Sequence, residues 1–133
     1  VDYKTVPLAD SGIYLRGVPQ VQIWDHHQVF DPQKPDRKPH LGSGGLFNNT
    51  PGAPGRDPLV LADKPFGAWN SFRIIQQGDV TTVWLNGQLV VDRAKMENYW
   101  DRTIPIYDSG QIELQNHGNN LWFKNIYIRE IPY

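Results

Sequence analysis

The sequence predicts an all-β fold, two antiparallel sheets packed as a sandwich, and three observations carry that expectation. The first is composition. Five Trp, six Tyr and five Phe stand beside 12 Gly and 11 Pro in 133 residues, with one Met and no long stretch of Ala, Leu, Glu and Lys. Turn formers and β-favouring aromatics outweigh helix formers. The second is period. Short runs alternate apolar and polar residues, as strands with one buried face do. The third is Asn86-Gly87 between two such runs. Both central residues of a type I′ hairpin turn need positive φ, which Asn and Gly tolerate.

The elements follow in chain order. Ser11 to Arg16 reads as a strand with Ile13 and Leu15 on one face and Tyr14 and Arg16 on the other. Gly17 and Pro19 punctuate it, and Gln20 to Asp25 follows, with Val21 and Ile23 against Gln22 and Trp24. Between His26 and Pro65 lie seven of the 11 prolines and five of the 12 glycines. Only Gly44 to Asn48 and Leu59 to Ala62 look able to pair there; the rest is long loop, a frequent home of function. Trp69 to Gln76, Val80 to Leu85 and Gln88 to Asp92 form a meander, turned at Gly78-Asp79 and at Asn86-Gly87. Arg93 to Ser109 is a second excursion, with one helical turn expected at Met96 to Trp100. Gly110 to Gln115 and Leu121 to Ile131 are the last strands. Eight or nine strands in all suit one sandwich domain over residues 1–133.

Charge and cysteine narrow the function. A net charge of −1 gives no electrostatic footprint for nucleic acid. Lys34, Arg37 and Lys38 read as a short solvated basic loop. No apolar run is long enough to span a bilayer. Without cysteine there are neither disulfides nor thiolate metal sites. Serine and cysteine nucleophile arrangements are not visible, and Gly42 to Gly45 lacks the Lys-Ser/Thr ending of a phosphate loop.

Two clusters could carry chemistry. His117 lies in the polar stretch Gln115-Asn116-His117-Gly118-Asn119-Asn120. Its imidazole titrates near neutrality and suits acid or base work, although a turn histidine bonded to backbone reads equally well. Trp24-Asp25-His26-His27 stands where the Pro-rich loop begins. Carboxylate and imidazole suit acid–base work or a divalent metal ion, but the spacing matches no standard metal motif. Tyr14, Arg16, Gln22 and Trp24 could line one sheet face, an aromatic with amides and a guanidinium, as sugar surfaces have; ordinary cross-strand pairing is the plainer reading. Trp69, Trp84 and Trp122 are expected in the core.

Several segments together resemble the 3-keto-disaccharide hydrolase family, the DUF1080 type. They are Ser-Gly-Ile-Tyr-Leu-Arg-Gly (11 to 17), Val-Gln-Ile-Trp-Asp (21 to 25), Trp69-Asn70, Val-Trp-Leu-Asn-Gly (83 to 87) and the run from Gly110 to Ile128. The resemblance implies a concanavalin- or laminin-G-like jelly roll with a sugar site on its concave face. It implies cleavage of 3-keto-glycosides by bacterial proteins outside the cytoplasm, in the periplasm or beyond. Carried over as site candidates are Arg16, Gln22, Asp25, Gln115 and His117, with Lys124 where the family more usually has arginine. His117 or Asp25 would be the base, and Arg16, Lys124 or a metal ion would face the enolate. Only ten residues precede Ser11, whereas family domains have further strands there. The resemblance therefore implies a partial sandwich, with three readings open: a fragment of a longer chain, strands supplied by a second chain or by self-association, or a reduced version of the domain. A non-catalytic carbohydrate-binding module on the same fold is the alternative.

Overall fold

The computed structural model describes residues 1–132. Its strands are β1 (Asp2–Lys4), β2 (Asp10–Leu15), β3 (Val18–Trp24), β4 (Asn70–Gln77), β5 (Val80–Leu85), β6 (Gln88–Lys95), β7 (Glu113–Leu114) and β8 (Trp122–Lys124). They form two antiparallel sheets, β6-β5-β4-β1-β8 and β3-β2-β7. Among the described residues the one helical element is a 3-10 turn at Pro39–Leu41. The sheets pack face to face as a partial sandwich. Tyr3, Phe72, Val83 and Leu85 of the larger meet Ile13, Leu15, Val21 and Ile23 of the smaller in one apolar core.

Two hairpins follow from two-residue turns. Asn86 and Gly87 have φ of 52° and 79°, as type I′ requires. Arg16 and Gly17 have φ of 54° and 72° and turn β2 into β3 in the same way. Arg16 is therefore a turn residue. Pro19 lies inside β3 instead of punctuating the chain before it, near the strand start where proline is tolerated.

Other expectations are corrected. β1 was not legible from three residues; it sits between β4 and β8, anchored by the Val1 amino group donating to the Phe72 carbonyl at 3.0 Å. β6 runs three residues further than expected, to Lys95, with register shifts against β5. No helical turn forms at Met96–Trp100. The Asn98 side-chain oxygen accepts from the N–H groups of Trp100 and Asp101, which replaces a helical turn with a local cap. Gly44 to Asn48 and Leu59 to Ala62 are not strands. Even so, Gly44 N–H donates to Gln22 O at 2.8 Å and Gln22 N–H to Gly45 O at 3.0 Å, so the loop lies along the outer edge of β3. Gly44 at φ 103° breaks a regular ladder there. The last two strands shrink to Glu113–Leu114 and Trp122–Lys124. Asn125 turns to φ 51° and ends β8.

The tryptophans also move. Lys4 pairs with Trp122 across β1 and β8 while Tyr3 pairs with Phe123. Tyr3 points into the core, so Trp122 points out, and it is 49% exposed. Trp69 and Trp84 are half-buried beneath cations, Lys124 4.0 Å from the Trp69 ring and Arg73 5.1 Å from the Trp84 ring. The central aromatic pair is instead Tyr3 and Phe72, 5.0 Å apart.

Candidate site on the smaller sheet

Alternation along β2 and β3 sends Ile13, Val21 and Ile23 into the core. It leaves Asp10, Gly12 and Tyr14, with Gln20, Gln22 and Trp24, on the other face. All seven residues of β3 are buried, because the loop after it folds over that face. Gly12 pairs with Gln22, and the N–H of Gln115 donates to the Gly12 carbonyl at 2.9 Å. Gln22, Gly12 and Gln115 thus form one row across the sheet. The Ser11 hydroxyl fastens the end of that row by donating to the Gln115 carbonyl at 2.8 Å. Gly12 matters for what it lacks. A Cβ there would stand 2.0 Å from the Gln20 side-chain oxygen, so the Gln20 amide occupies the space a side chain would take.

A continuous polar network results, and Asp10 is its centre. Gln20 donates its amide to Gln22 Oε1 at 2.9 Å, and Gln22 donates to Asp10 Oδ1 at 2.9 Å. The other oxygen, Asp10 Oδ2, stands 3.4 Å from Arg37 Nη2 and 4.0 Å from His117 Nε2. Its side chain is 17% exposed, reachable between those two partners. Gln20 Oε1 and Gln115 Oε1 are buried and accept no hydrogen bond. Such orphaned acceptors cost free energy.

Local turns deliver His117 and Arg37. The Asn116 side chain accepts from Gly118 N–H at 3.0 Å, and Gly118 takes φ 91°. His117 stands at the tip of that turn, exposed. Asn119 accepts from the Asp10 N–H at 3.2 Å and ties the turn to β2. On the other side, the Pro-rich loop folds as successive tight turns, Lys34 N–H to Asp31 O at 2.9 Å and Arg37 N–H to Lys34 O at 3.0 Å. It lays the Arg37 guanidinium over the Trp24 ring at 5.0 Å. Arg37 is thus not part of a merely solvated loop. Further along the same face, Tyr14 lies opposite Glu113. Burial, with the charges of Glu113 and Tyr99, raises the pKa of its hydroxyl.

Of the residues singled out in the sequence, Gln22, Trp24, Gln115, His117 and Tyr14 share this face. Arg16 lies at the far end of the hairpin, donating to Tyr107 O at 3.2 Å and Gly78 O at 2.6 Å. Lys124 is on the larger sheet, over Trp69. Asp25 is 5% exposed; its carboxylate accepts from the N–H groups of Leu8 and His27, both at 2.9 Å. Asp10, Gln20, Arg37 and Asn119 were missed. Stepping the alternation back from Tyr14 through Gly12 reaches Asp10, and one step before Gln22 is Gln20. Nothing local marks Arg37. Among the described residues no group of three His, Asp or Glu side chains could hold a metal ion, so this donor set does not fit a metal centre.

Fold and site together define a β-sandwich with an amide- and carboxylate-rich face beneath an overhanging loop. The chain belongs to the family of 3-keto-alpha-glucoside-1,2-lyase-like domains, whose model matches residues 1–129. A solved protein of Parabacteroides distasonis, described as a candidate glycosyl hydrolase, shares the fold with a TM-score of 0.64 and 21% identity. The likeness covers 90% of this chain and 56% of that one. No curated protein sequence matches the chain significantly.

Proposed function

We propose that the face around Asp10 binds a 3-keto-glycoside and cleaves it. The observation that carries this reading is the convergence of Gln22, Arg37 and His117 on one carboxylate, with Gln20 bonded behind Gln22, beside two unpartnered amide oxygens. A C3 ketone acidifies the C2 hydrogen of a sugar. His117 takes that proton, and the electron pair moves into an enolate with its charge on the C3 oxygen. Arg37 faces that charge. Expulsion of the C1 substituent forms the C1–C2 double bond, and protonated His117 returns its proton to the departing oxygen. Water adding at C1 completes net hydrolysis. Asp10 orients the imidazole once substrate draws it closer than 4.0 Å. Asp25 holds the turn after β3.

The test is turnover of a 3-keto-glycoside. His117→Ala should lower it by about 10²–10⁴-fold with little change in binding. Full activity in His117→Gln, with unchanged melting, would remove histidine from the chemistry. A second reading is a non-catalytic sugar-binding module. It is favoured by the 61% exposure of the His117 side chain, more than a poised base usually has. Calorimetry separates the two: binding of unoxidised glucans with no turnover of any 3-keto-sugar supports the module.

A further inference from the structure

Leu8 precedes β2 with φ 63°, the left-handed region that a branched side chain seldom adopts. It is 69% exposed and takes no part in the apolar core. Asp25 holds it there, its buried carboxylate accepting from the Leu8 N–H at 2.9 Å. The other carboxylate oxygen accepts from the His27 N–H at 2.9 Å, and the Asp25 carbonyl accepts from the Gln28 side chain at 3.2 Å. One buried residue thus sets both the segment before β2 and the turn after β3. Between them lies a cavity of about 300 Å³. Leu8, Val29 and Pro39 give it apolar walls, and Arg37 joins it to the Asp10 face, with Nη2 3.4 Å from Asp10 Oδ2. Gln28 and Asp31 also line it, but the Gln28 amide is engaged with Asp25 and Asp31 Oδ1 accepts from the Gln33 N–H at 2.9 Å. Lys34 adds one exposed ammonium group.

We propose that this cavity receives the C1 substituent of the substrate, and that the substituent it fits is an apolar group of about one ring, aryl or arylmethyl, instead of a second sugar. The inference rests on the reading of the Asp10 face as the sugar site. Ligand pockets span about 300–1,000 Å³, so this one suits a single ring and not a chain of sugars. A second sugar would also bring several hydroxyl groups. Against Leu8, Val29 and Pro39 each would lose water without gaining a partner. An apolar ring gains by leaving water at the same walls. Strained residues cluster where ligands are gripped, and a leucine presented to solvent becomes buried only when something covers it. The bond broken is still that between C1 and its oxygen, and the departing alcohol takes the proton that His117 returns.

The experiment compares benzyl and methyl 3-keto-glucosides and a 3-keto-disaccharide on the intact protein. The benzyl and methyl compounds release alcohols of similar acidity, so their ratio reads the fit of the substituent. The value of kcat/KM should favour benzyl by at least about tenfold over both of the others. Leu8→Asn should cut the benzyl-over-methyl ratio to about threefold or less, because asparagine tolerates positive φ and replaces an apolar wall by an amide. Val29→Asn makes the same test at a residue 88% exposed, where folding is not at stake. Turnover of benzyl and methyl compounds at equal kcat/KM overturns the cavity's role and leaves the proposed reaction standing. A benzyl preference unchanged in both variants does the same. If no 3-keto-sugar is turned over, the proposed reaction fails by itself, and calorimetry with unoxidised benzyl and methyl glucosides decides the cavity. Tighter benzyl binding that Leu8→Asn weakens sustains it; equal or undetectable binding overturns it.

Discussion

At the scale of single residues, the site depends on a side chain that is absent. Gly12 has an ordinary backbone, so its role is space rather than conformational freedom. Gly12→Ala would put a methyl group 2.0 Å from Gln20 Oε1, and backbone oxygen of Val21 stands 2.9 Å away on another side. The amide must swing out of the network. Stability should fall by about 1–3 kcal/mol, the usual range for overpacking. Sugar affinity should fall with it, since Gln20 would no longer hold Gln22 toward Asp10. Calorimetry on Gly12→Ala, with melting on the same samples, checks both; unchanged affinity would separate Gln20 from binding. Tyr3 shows the opposite case, a residue with more than its site satisfies. Its hydroxyl is fully buried without a hydrogen-bond partner. Burial and the nearby Asp63 carboxylate push its pKa well up, so it stays protonated.

At the scale of elements, the β5–β6 hairpin is the part most dependent on local chemistry. A Cβ at Gly87 would meet nothing within 4 Å, so any cost of substitution lies in the backbone at φ 79°. Gly87→Val should therefore destabilise the protein by about 1–3 kcal/mol, the cost of a strained conformation. Thermal melting checks it, and an unchanged melt would mean that the turn relaxes freely. β3 shows the influence of context instead. Alternation exposes half of an isolated strand, but both faces of β3 are buried. The core covers one face. On the other, Phe47 stands edge-on to Trp24 at 5.2 Å and Arg37 lies over the same ring.

At the scale of the whole molecule, the two long excursions are zipped to one another. Asn49 donates to Lys95 O at 2.8 Å and accepts from Glu97 N–H at 2.9 Å. Glu97 accepts from the Thr50 N–H at 2.7 Å and hydroxyl at 2.6 Å, with Arg102 at 3.3 Å. Burial alone would raise the Glu97 pKa, but the Thr50 hydrogen bonds and the Arg102 charge outweigh it, so the net shift is downward. A carboxylate with a lowered folded-state pKa stabilises the fold above its unfolded value, about 4.3, and loses that contribution as pH falls through the folded value. The pair is partly exposed, so solvent screening keeps the effect modest. Between about pH 5 and pH 3 the wild type should lose more melting temperature than Glu97→Gln. Parallel loss in both would show that the zipper carries no acid-linked stability.

What the sequence determined by itself is what short-range chemistry controls. Asn86-Gly87 specified its hairpin because two positive φ angles are needed there and few residue pairs supply them. Alternation placed Ile13, Leu15, Val21 and Ile23 in the core, because a strand has only two faces. The segments from Ser11 to Gly17 and from Gly110 to Ile128 carried the family. Tertiary structure decided the rest. Trp122 resembles any core tryptophan in the sequence, and only its pairing with Lys4 turns it outward. Arg16 and Gln22 stand six residues apart, and only the turn at Arg16-Gly17 separates them to opposite ends of the sheet. Arg37 joins Asp10 across 27 residues of chain through successive turns that no periodic pattern encodes. Strand length at β7 and β8 was also beyond local reading, because pairing with β2 and β1, distant in sequence, decides where each begins and ends.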